Sequence, residues 1–432
     1  MHKLNRFFYK VYTSAYLTGR HRRQGLTHAG RLMVAAMIAS ATFGIDTTQS
    51  AVYQLFTLLT TVMIIARICS RSFKARVTVS RMLPPFATAG EKLTYCVTVR
   101  NLKTRKQSGL LIQETPSFSC PTFNEFIQAR EPGESDRNRW DQMVKYHRFE
   151  WLMNQRIKAG LKEHPLPVLG ANSYLNVFLK LEPRHRGTLE LTGLSVNRIG
   201  PLGFYKSIRH LPLPDHLLIL PRGFPLPPIQ LPGSRKHNAG GVTLASSVGN
   251  ANEFRALREY RPGDPMRMLH WKSLAKTGEL IIRENEDEYF VRHALILDTF
   301  TDQPVSQTFE TAISVAASFA CTIRTQESML DLMFVEEKAH CISAGRGVDH
   351  TGKLLETLAS IEPCIDKKLP SIFPLIQEQA SLLSGCICIF QAWDDDRKNL
   401  IQILSELNVP VKILVITDEE PPETNEPIHF IH

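Results

Sequence analysis

The sequence predicts a multidomain chain: an N-terminal transmembrane helical hairpin, a β-sandwich-like all-β domain with a partly helical insertion, and a C-terminal α/β domain. Three patterns predict it. Two apolar runs with basic flanks lie within the first 76 residues, period-two alternation follows up to about residue 221, and strand and helix patterns alternate from residue 291. A chain of 432 residues, 43% hydrophobic and 22% charged, has the composition of a globular protein and allows roughly two or three domains. A disordered chain is excluded, because each domain can bury a core of its own.

The net charge of +9 asks for an acidic partner, and its placement narrows the choice. Lys3, Arg6, Lys10, Arg20, Arg22, Arg23, Arg31, Arg67, Arg71, Lys74 and Arg76 face Asp46 alone, which points to a membrane surface rather than to nucleic acid. Residues 1–30 form a basic N-terminus, and residues 31–70 hold the hairpin: apolar runs at 32–45 and 51–68 separated by "DTTQS". A spanning helix needs about 20 apolar residues, so the second run fits with Arg67 at the interface, while the first is short. A buried core hairpin is the competing reading. Lys and Arg crowd both outer flanks and are absent from the turn, so the positive-inside rule places both termini and the soluble domains in the cytoplasm of a multi-pass plasma-membrane protein. The eight scattered cysteines fit that compartment, and Cys386 and Cys388 in "SGCICIFQA" read as packed core thiols on one strand.

Residues 76–221 carry short alternating runs such as "KLTYCVTVRN", "NVFLKLEP" and "GTLELTGLSVNR", bounded by Pro, Gly and Asn. They are interrupted by an insertion at 117–170, helical around Asp141 to Ala159, which is the natural place for protein-specific contacts. Pro and Gly then make residues 222–250 an extended linker.

Residues 251–290 hold the densest polar segment, "EFRALREYRPGDPMRMLHWKSLAKTGELIIRENEDE", with seven Lys and Arg among eight acids. The Pro-Gly-Asp at 262–264 predicts a tight turn, "MRMLHWKSLAKTG" a helix, and "GELIIRENEDE" a strand running toward the sheet. Met268, Leu269, Trp271 and Leu274 are its expected apolar contacts. Three chemistries compete here. A hydrolase would use His270 with Asp264 or Glu259, but Ser273 lies in no Gly-flanked elbow and makes a poor nucleophile. An anion clamp of Arg255, Arg258, Arg267 and Lys272 would lose its charge to neighbouring acids. The third reading is an interaction surface and joint of Arg255, Arg258, Tyr260, Asp264, Arg267, His270, Trp271 and Lys272, residue types enriched at binding hot spots. It is preferred, and no catalytic residue is assigned.

Residues 291–432 alternate strand and helix: "HALILDTF", a helix with Val305, Phe309, Ala312, Ile313, Ala316, Phe319, Ala320 and Ile323 on one stripe, a hairpin from "SMLDLMFVEE" and "KAHCISAG", then "GCICIFQ" and "VKILVIT" separated by helices. That order gives an open α/β sheet, whose ligands belong at the carboxyl ends of its strands. There Asp298, Asp394 to Asp396, and Asp418 gather.

The stretch from Asn252 to Glu288, with "RHRGTLELTGLSV" and "GPLGFYK" upstream, resembles the signature of the domain of unknown function 58 family, and the resemblance covers nearly the whole chain except the insertion. It implies a membrane-anchored protein with a domain similar to the von Willebrand factor A fold, and an AAA+ ATPase of the MoxR type as protein partner. The A-type fold binds a divalent ion through Asp-x-Ser-x-Ser. This chain reads Asp298, Thr299, Phe300, Thr301, Asp302, so both serines are lost. Asp298, Thr301 and Asp302 are retained as a degenerate Mg²⁺ candidate, and otherwise no metal or cofactor is expected. The function expected is that of a membrane-bound scaffold rather than an enzyme, with a divalent-metal-dependent binder and a hydrolase as alternatives. No aromatic-interleaved basic patch or Cys/His finger spacing supports a nucleic-acid partner.

Overall fold

A computed structural model describes residues 2–43, 50–71, 75–117, 119–226, 254–262, 266, 269–285, 291–322, 328–336, 338–344, 348–365, 367–417 and 428–431. It divides into two compact units. One comprises Met1–Pro225, Thr299–Cys321 and Gly352–Lys368, the other Leu226–Asp298, Thr322–Thr351 and Leu369–His432.

The first unit begins with three helices, α1 (His2–Gly25), α2 (His28–Phe43) and α3 (Ser50–Arg71). Residues 2–25 form a long helix that the basic composition alone did not predict. Its tyrosines supply the reason, since they face a protein partner described below. The helices α2 and α3 pack on one another, and the turn at 44–49 lies outside the described residues. Among the described residues, α3 alone has a stretch, Ala51–Ser70, long and apolar enough to cross a membrane. Of the expected pair of spanning helices, one candidate is found among the described residues: the 16 described residues of α2 rise about 24 Å, against about 30 Å of hydrocarbon.

Two sheets follow, built from β1 (Val77–Met82), β2 (Phe86–Thr88), β3 (Leu93–Asn101), β4 (Leu110–Pro116), β5 (Ala159–Leu161), β6 (His164–Pro165), β7 (Tyr174–Pro183), β8 (Gly187–Ile199) and β9 (Lys206–Leu220). Their orders are β1-β3-β7-β5 and β2-β9-β8-β4-β6, antiparallel except for the parallel pair β2 and β9. The alternation works as pattern physics requires: Val97, Val99 and Leu181 from one sheet share a core with Ile112, Leu194, Leu217 and Ile219 from the other. A bulge between Leu191 and Gly193 bends β8, and an added Cβ at Gly193 would collide with the Leu211 carbonyl.

The insertion carries α4 (Phe123–Gln128), α5 (Arg139–Val144) and α6 (Tyr146–Arg156). Its C-terminal limit is corrected, because β5 pairs with β7 and β6 with β4, so residues 159–165 return to the sheets. A capping box of Thr122 and Glu125 starts α4. Phe126, Ala129, Phe149, Leu152 and Met153 then form a small core. Buried Arg148 holds it together, pairing with Glu134 at 2.5 Å and donating to the Phe126 and Ile127 carbonyls at 3.2 Å.

The second unit opens with β10 (Phe254–Glu259), α7 (Trp271–Thr277) and β11 (Ile281–Asn285), followed by β12 (Val291–Leu297), β13 (Ser328–Val335), β14 (Ala339–Ala344), α10 (Phe373–Gln379), β15 (Gly385–Phe390), α11 (Asp395–Glu406), β16 (Val411–Ile416) and β17 (Ile428–Ile431), while α8 (Gln307–Thr322) up to Cys321 and α9 (Val348–Ser360) from Gly352 belong to the first. Six strands form one sheet in the order β14-β13-β12-β15-β16-β17, parallel except for the edge pairing of β14 with β13. The order reverses between β12 and β15, which is the topological switch point of such sheets. Every residue of β15 is buried, as its unbroken apolar run requires, and Cys386 and Cys388 lie there with sulfurs 3.7 Å apart. Burial pushes the Cys388 thiol well up, as expected of an inert packed cysteine.

Candidate functional site

The carboxyl ends of β12 and β15 converge on a buried carboxylate. Asp298 is fully buried, and its Oδ2 accepts from Arg397 Nε at 2.9 Å, from Arg397 Nη2 at 2.7 Å and from the Gln391 backbone N–H at 3.1 Å. Gln391 Nε2 donates in return to the Asp298 carbonyl at 2.8 Å. Arg397 is presented by the first turn of α11, whose N-cap Asp394 accepts from the Arg397 N–H at 3.1 Å and also pairs with its guanidinium. Burial works against the charge on Arg397, but Asp298 and Asp394 outweigh it and raise its pKa. A guanidinium therefore sits against the carboxylate that would anchor a cation. Thr301 accepts the Gln303 N–H at 3.3 Å and Asp302 is exposed. No group of three or more His, Cys, Asp or Glu side chains among the described residues could hold a metal.

The polar segment folds as a ribbon and a short helix. The strands β10 and β11 pair antiparallel as a two-stranded sheet of their own, so β11 does not join the six-stranded sheet as expected. Tyr260 donates its N–H to Leu280 at 2.9 Å, and His270 donates its N–H to Ile281 at 2.8 Å. Leu269 bridges to Ile282, and both are buried. The expected inward contact of Trp271 is corrected: it is 63% exposed, because Leu269 has already taken the buried place and α7 starts two residues later on the outside. Lys272 is exposed and Arg258 half-buried, its Nη1 donating to the Glu259 carbonyl at 3.1 Å. Asp264, Arg267, Met268 and the side chain of Arg255 lie outside the described residues. The structure brings His270 Nδ1 to 2.6 Å from Ser273 Oγ, a contact across the first turn of α7. Sequence reading discounted that pair, and its spacing of three on a helix start was the signal that could have found it.

A second arginine went unnoticed in "RHRGTLELTGLSV". Arg186, just before β8, donates through Nε to the Leu358 carbonyl at 3.0 Å and through Nη2 to the Ile361 carbonyl at 2.5 Å. It also pairs with Glu310 and lies over the Phe309 ring at 5.2 Å. Arg186 thus ties the β-rich part of the first unit to α8 and to the end of α9, within that same unit.

The "GPLGFYK" segment closes the base of the apolar helices. It forms the tip between β8 and β9, and Thr27 donates its N–H to the Phe204 carbonyl at 3.0 Å and its hydroxyl to Gly203 at 2.6 Å. Arg67 of α3 lies over the Tyr205 ring at 5.4 Å, and Gly30 passes so close to Phe204 that a Cβ would collide with its carbonyl oxygen.

A cleft of about 340 Å³ lies between Tyr16 of α1 and strands β4, β5 and β8. Two of its cations are already engaged: Arg156 pairs with Glu125 and donates to Ser119 Oγ at 2.9 Å, and Lys158 Nζ donates to the Thr188 carbonyl at 2.9 Å.

Fold and site together define a multidomain protein of mixed sheets and helices with, among the described residues, one candidate apolar helix of spanning length near the N-terminus. The family described as "Protein of unknown function DUF58" matches residues 256–372. The chain is 25% identical over 128 residues to "Uncharacterized protein YeaD" of Bacillus subtilis (strain 168), a match covering 29% of this chain and 31% of that protein, so under a third of the relative's length is spanned. Its overlap with a solved Salmonella alpha-2-macroglobulin has a TM-score of 0.20 and 13% identity, over 34% of this chain and 7% of that one, too slight for any structural inference.

Proposed function

We propose that the chain is a membrane-anchored, cytoplasm-facing scaffold that recruits a protein partner, and that its second unit is a von Willebrand factor A-like domain. The observation that carries the anchor is the surface of α3. Leu55, Leu58, Ile64, Ile65 and Ile68 are all exposed and cover a broad face of the helix, opposite the buried Met63, Ala66 and Ser70. Such a helix is stable where its surroundings are hydrocarbon, and Ala51–Ser70 is long enough to cross it. The sheet order, with an antiparallel strand at one edge and Asp298 at the switch point, supports the A-like reading. Recruitment rather than turnover is favoured because the buried carboxylate there is held by Arg397, while Trp271 and Lys272 are presented outward.

The resemblance of the signature segment makes an AAA+ ATPase of the MoxR type the first partner to test. Crosslinking of the intact protein in its own membranes, followed by identification of what comes with it, tests the reading. One dominant protein partner recovered with wild type and lost with Arg258→Glu, at unchanged membrane content, is the expected result. Recovery of the same proteins with both would end it.

A further inference from the structure

The first helix has two different faces. On one, Tyr9 donates its hydroxyl to the Pro121 carbonyl at 2.8 Å, Tyr12 donates to the Val144 carbonyl at 2.9 Å, and Tyr9, Tyr12 and Tyr16 pack on the aromatic core of the insertion. Docking there fixes what points away. Leu4, Phe7 and Val11, spaced by three and four, are exposed, and Phe7 is 61% so. Beside them runs a second exposed stripe of Lys3, Arg6 and Lys10. The helix contains no Asp or Glu anywhere in His2–Gly25. An apolar stripe edged by cations, on a helix whose other face is occupied by protein, is the pattern of a helix lying in a lipid interface.

The connection to α2 says which surface covers it. Only Leu26 and Thr27 separate α1 from α2, and both are held by the β8–β9 tip, Leu26 bridging to Tyr205 and Thr27 bonding to Phe204. The same tip carries exposed Leu202 and meets Arg67 of α3. The end of the apolar helices, the tip and the end of α1 thus share one small region. We infer that α1 lies in the plane of the membrane, its Leu4, Phe7 and Val11 in the headgroup layer and its Lys3 and Lys10 side chains on anionic lipid. This rests on the anchoring role of α3, and makes the insertion the clamp that fixes the height and tilt of the β-rich part above the bilayer.

Tryptophan quenching by brominated lipids tests it on the full chain reconstituted into phosphatidylcholine vesicles, with or without phosphatidylglycerol. Wild type, with its four tryptophans, gives the baseline. Leu58→Trp reports α3, Phe7→Trp reports α1, and Phe178→Trp, on an exposed site of β7, is the control away from lipid. The expected result is loss of the added Leu58→Trp emission with bromines deep in the acyl chain. The added Phe7→Trp emission is lost only with bromines near the carbonyls, more strongly with phosphatidylglycerol, and the effect weakens when Lys3→Glu and Lys10→Glu are added. Quenching at Leu58→Trp with none at Phe7→Trp would overturn the inference and leave the anchor standing. No quenching at Leu58→Trp would remove the anchor itself. A lipid-independent, concentration-dependent blue shift at Phe7→Trp would mean that a second copy of the chain covers α1.

Discussion

Arg397 and Asp298 lie 99 residues apart in sequence and form one buried ion pair. Removing either partner strands the other in a low-dielectric site, and breaking such a pair costs about 3–5 kcal/mol. Arg397→Met is therefore expected to lower unfolding stability by that order in a urea titration, without Mg²⁺ restoring it. If Mg²⁺ did restore the variant, the degenerate loop would be a metal site whose cation the arginine replaces. The buried His293 gives a second prediction. Burial lowers its pKa below the ordinary 6.5, against a smaller opposing effect from the Gly385 backbone. Protons then prefer the unfolded chain, so the stability it contributes is present above 6.5 and is lost as the pH falls through the folded value. His185, lowered mainly by burial, acts with the same sign. His293→Gln should flatten, but not abolish, the fall of Tm on acidification. The contact of His270 with Ser273 is settled by labelling: a fluorophosphonate probe should leave wild type and Ser273→Ala equally unmodified. Labelling of wild type alone would revive a hydrolase. Asp298 was legible as an acid closing a strand, but Arg397 was not, since a run of three aspartates before it hides which charge turns inward.

Among elements, the insertion and the first helix depend on each other. Phe149 is almost fully buried between the insertion helices and the rings of Tyr9 and Tyr12. Truncating it to alanine should cost about 3–5 kcal/mol and, more diagnostically, make α1 cleavable by trypsin at Lys10 while the β-rich core persists. Gly30→Ala tests the base of the apolar helices. Its methyl would meet the Phe204 carbonyl, so either the β8–β9 tip or α2 must move, at a cost of about 1–3 kcal/mol. Faster proteolysis around Gly203 in detergent is the expected outcome, and an unchanged digestion pattern would show that the contact is slack. The strands of the β-rich part were readable because alternation every second residue leaves a mark in the sequence, while β12, β13, β15 and β16 occur where short apolar runs between helical patterns placed them. The helix at 2–25 was not readable in the same way. Its inward stripe is tyrosine and its outward stripe mixes Leu and Phe with Lys, so neither face looks like a core until the partner is known.

At the scale of the whole molecule, the topology is the exposed prediction. Protease added outside sealed cells should leave the β-rich part and the six-stranded sheet intact, while the same protease on inside-out membrane vesicles should remove them. The sequence by itself determined the apolar segments, the change from period two to alternating strand and helix, and the segment that the family of unknown function matches at 256–372. These are local properties, written in the order of side chains along a few turns or strands. Tertiary structure decided which arginine holds which carboxylate, that Arg186 ties β8 to α8 and α9, and that Trp271 faces outward. Each of those depends on residues far apart in the chain meeting in space. Hydrogen-bond geometry and burial choose among many charged candidates only once the sheets have set their positions.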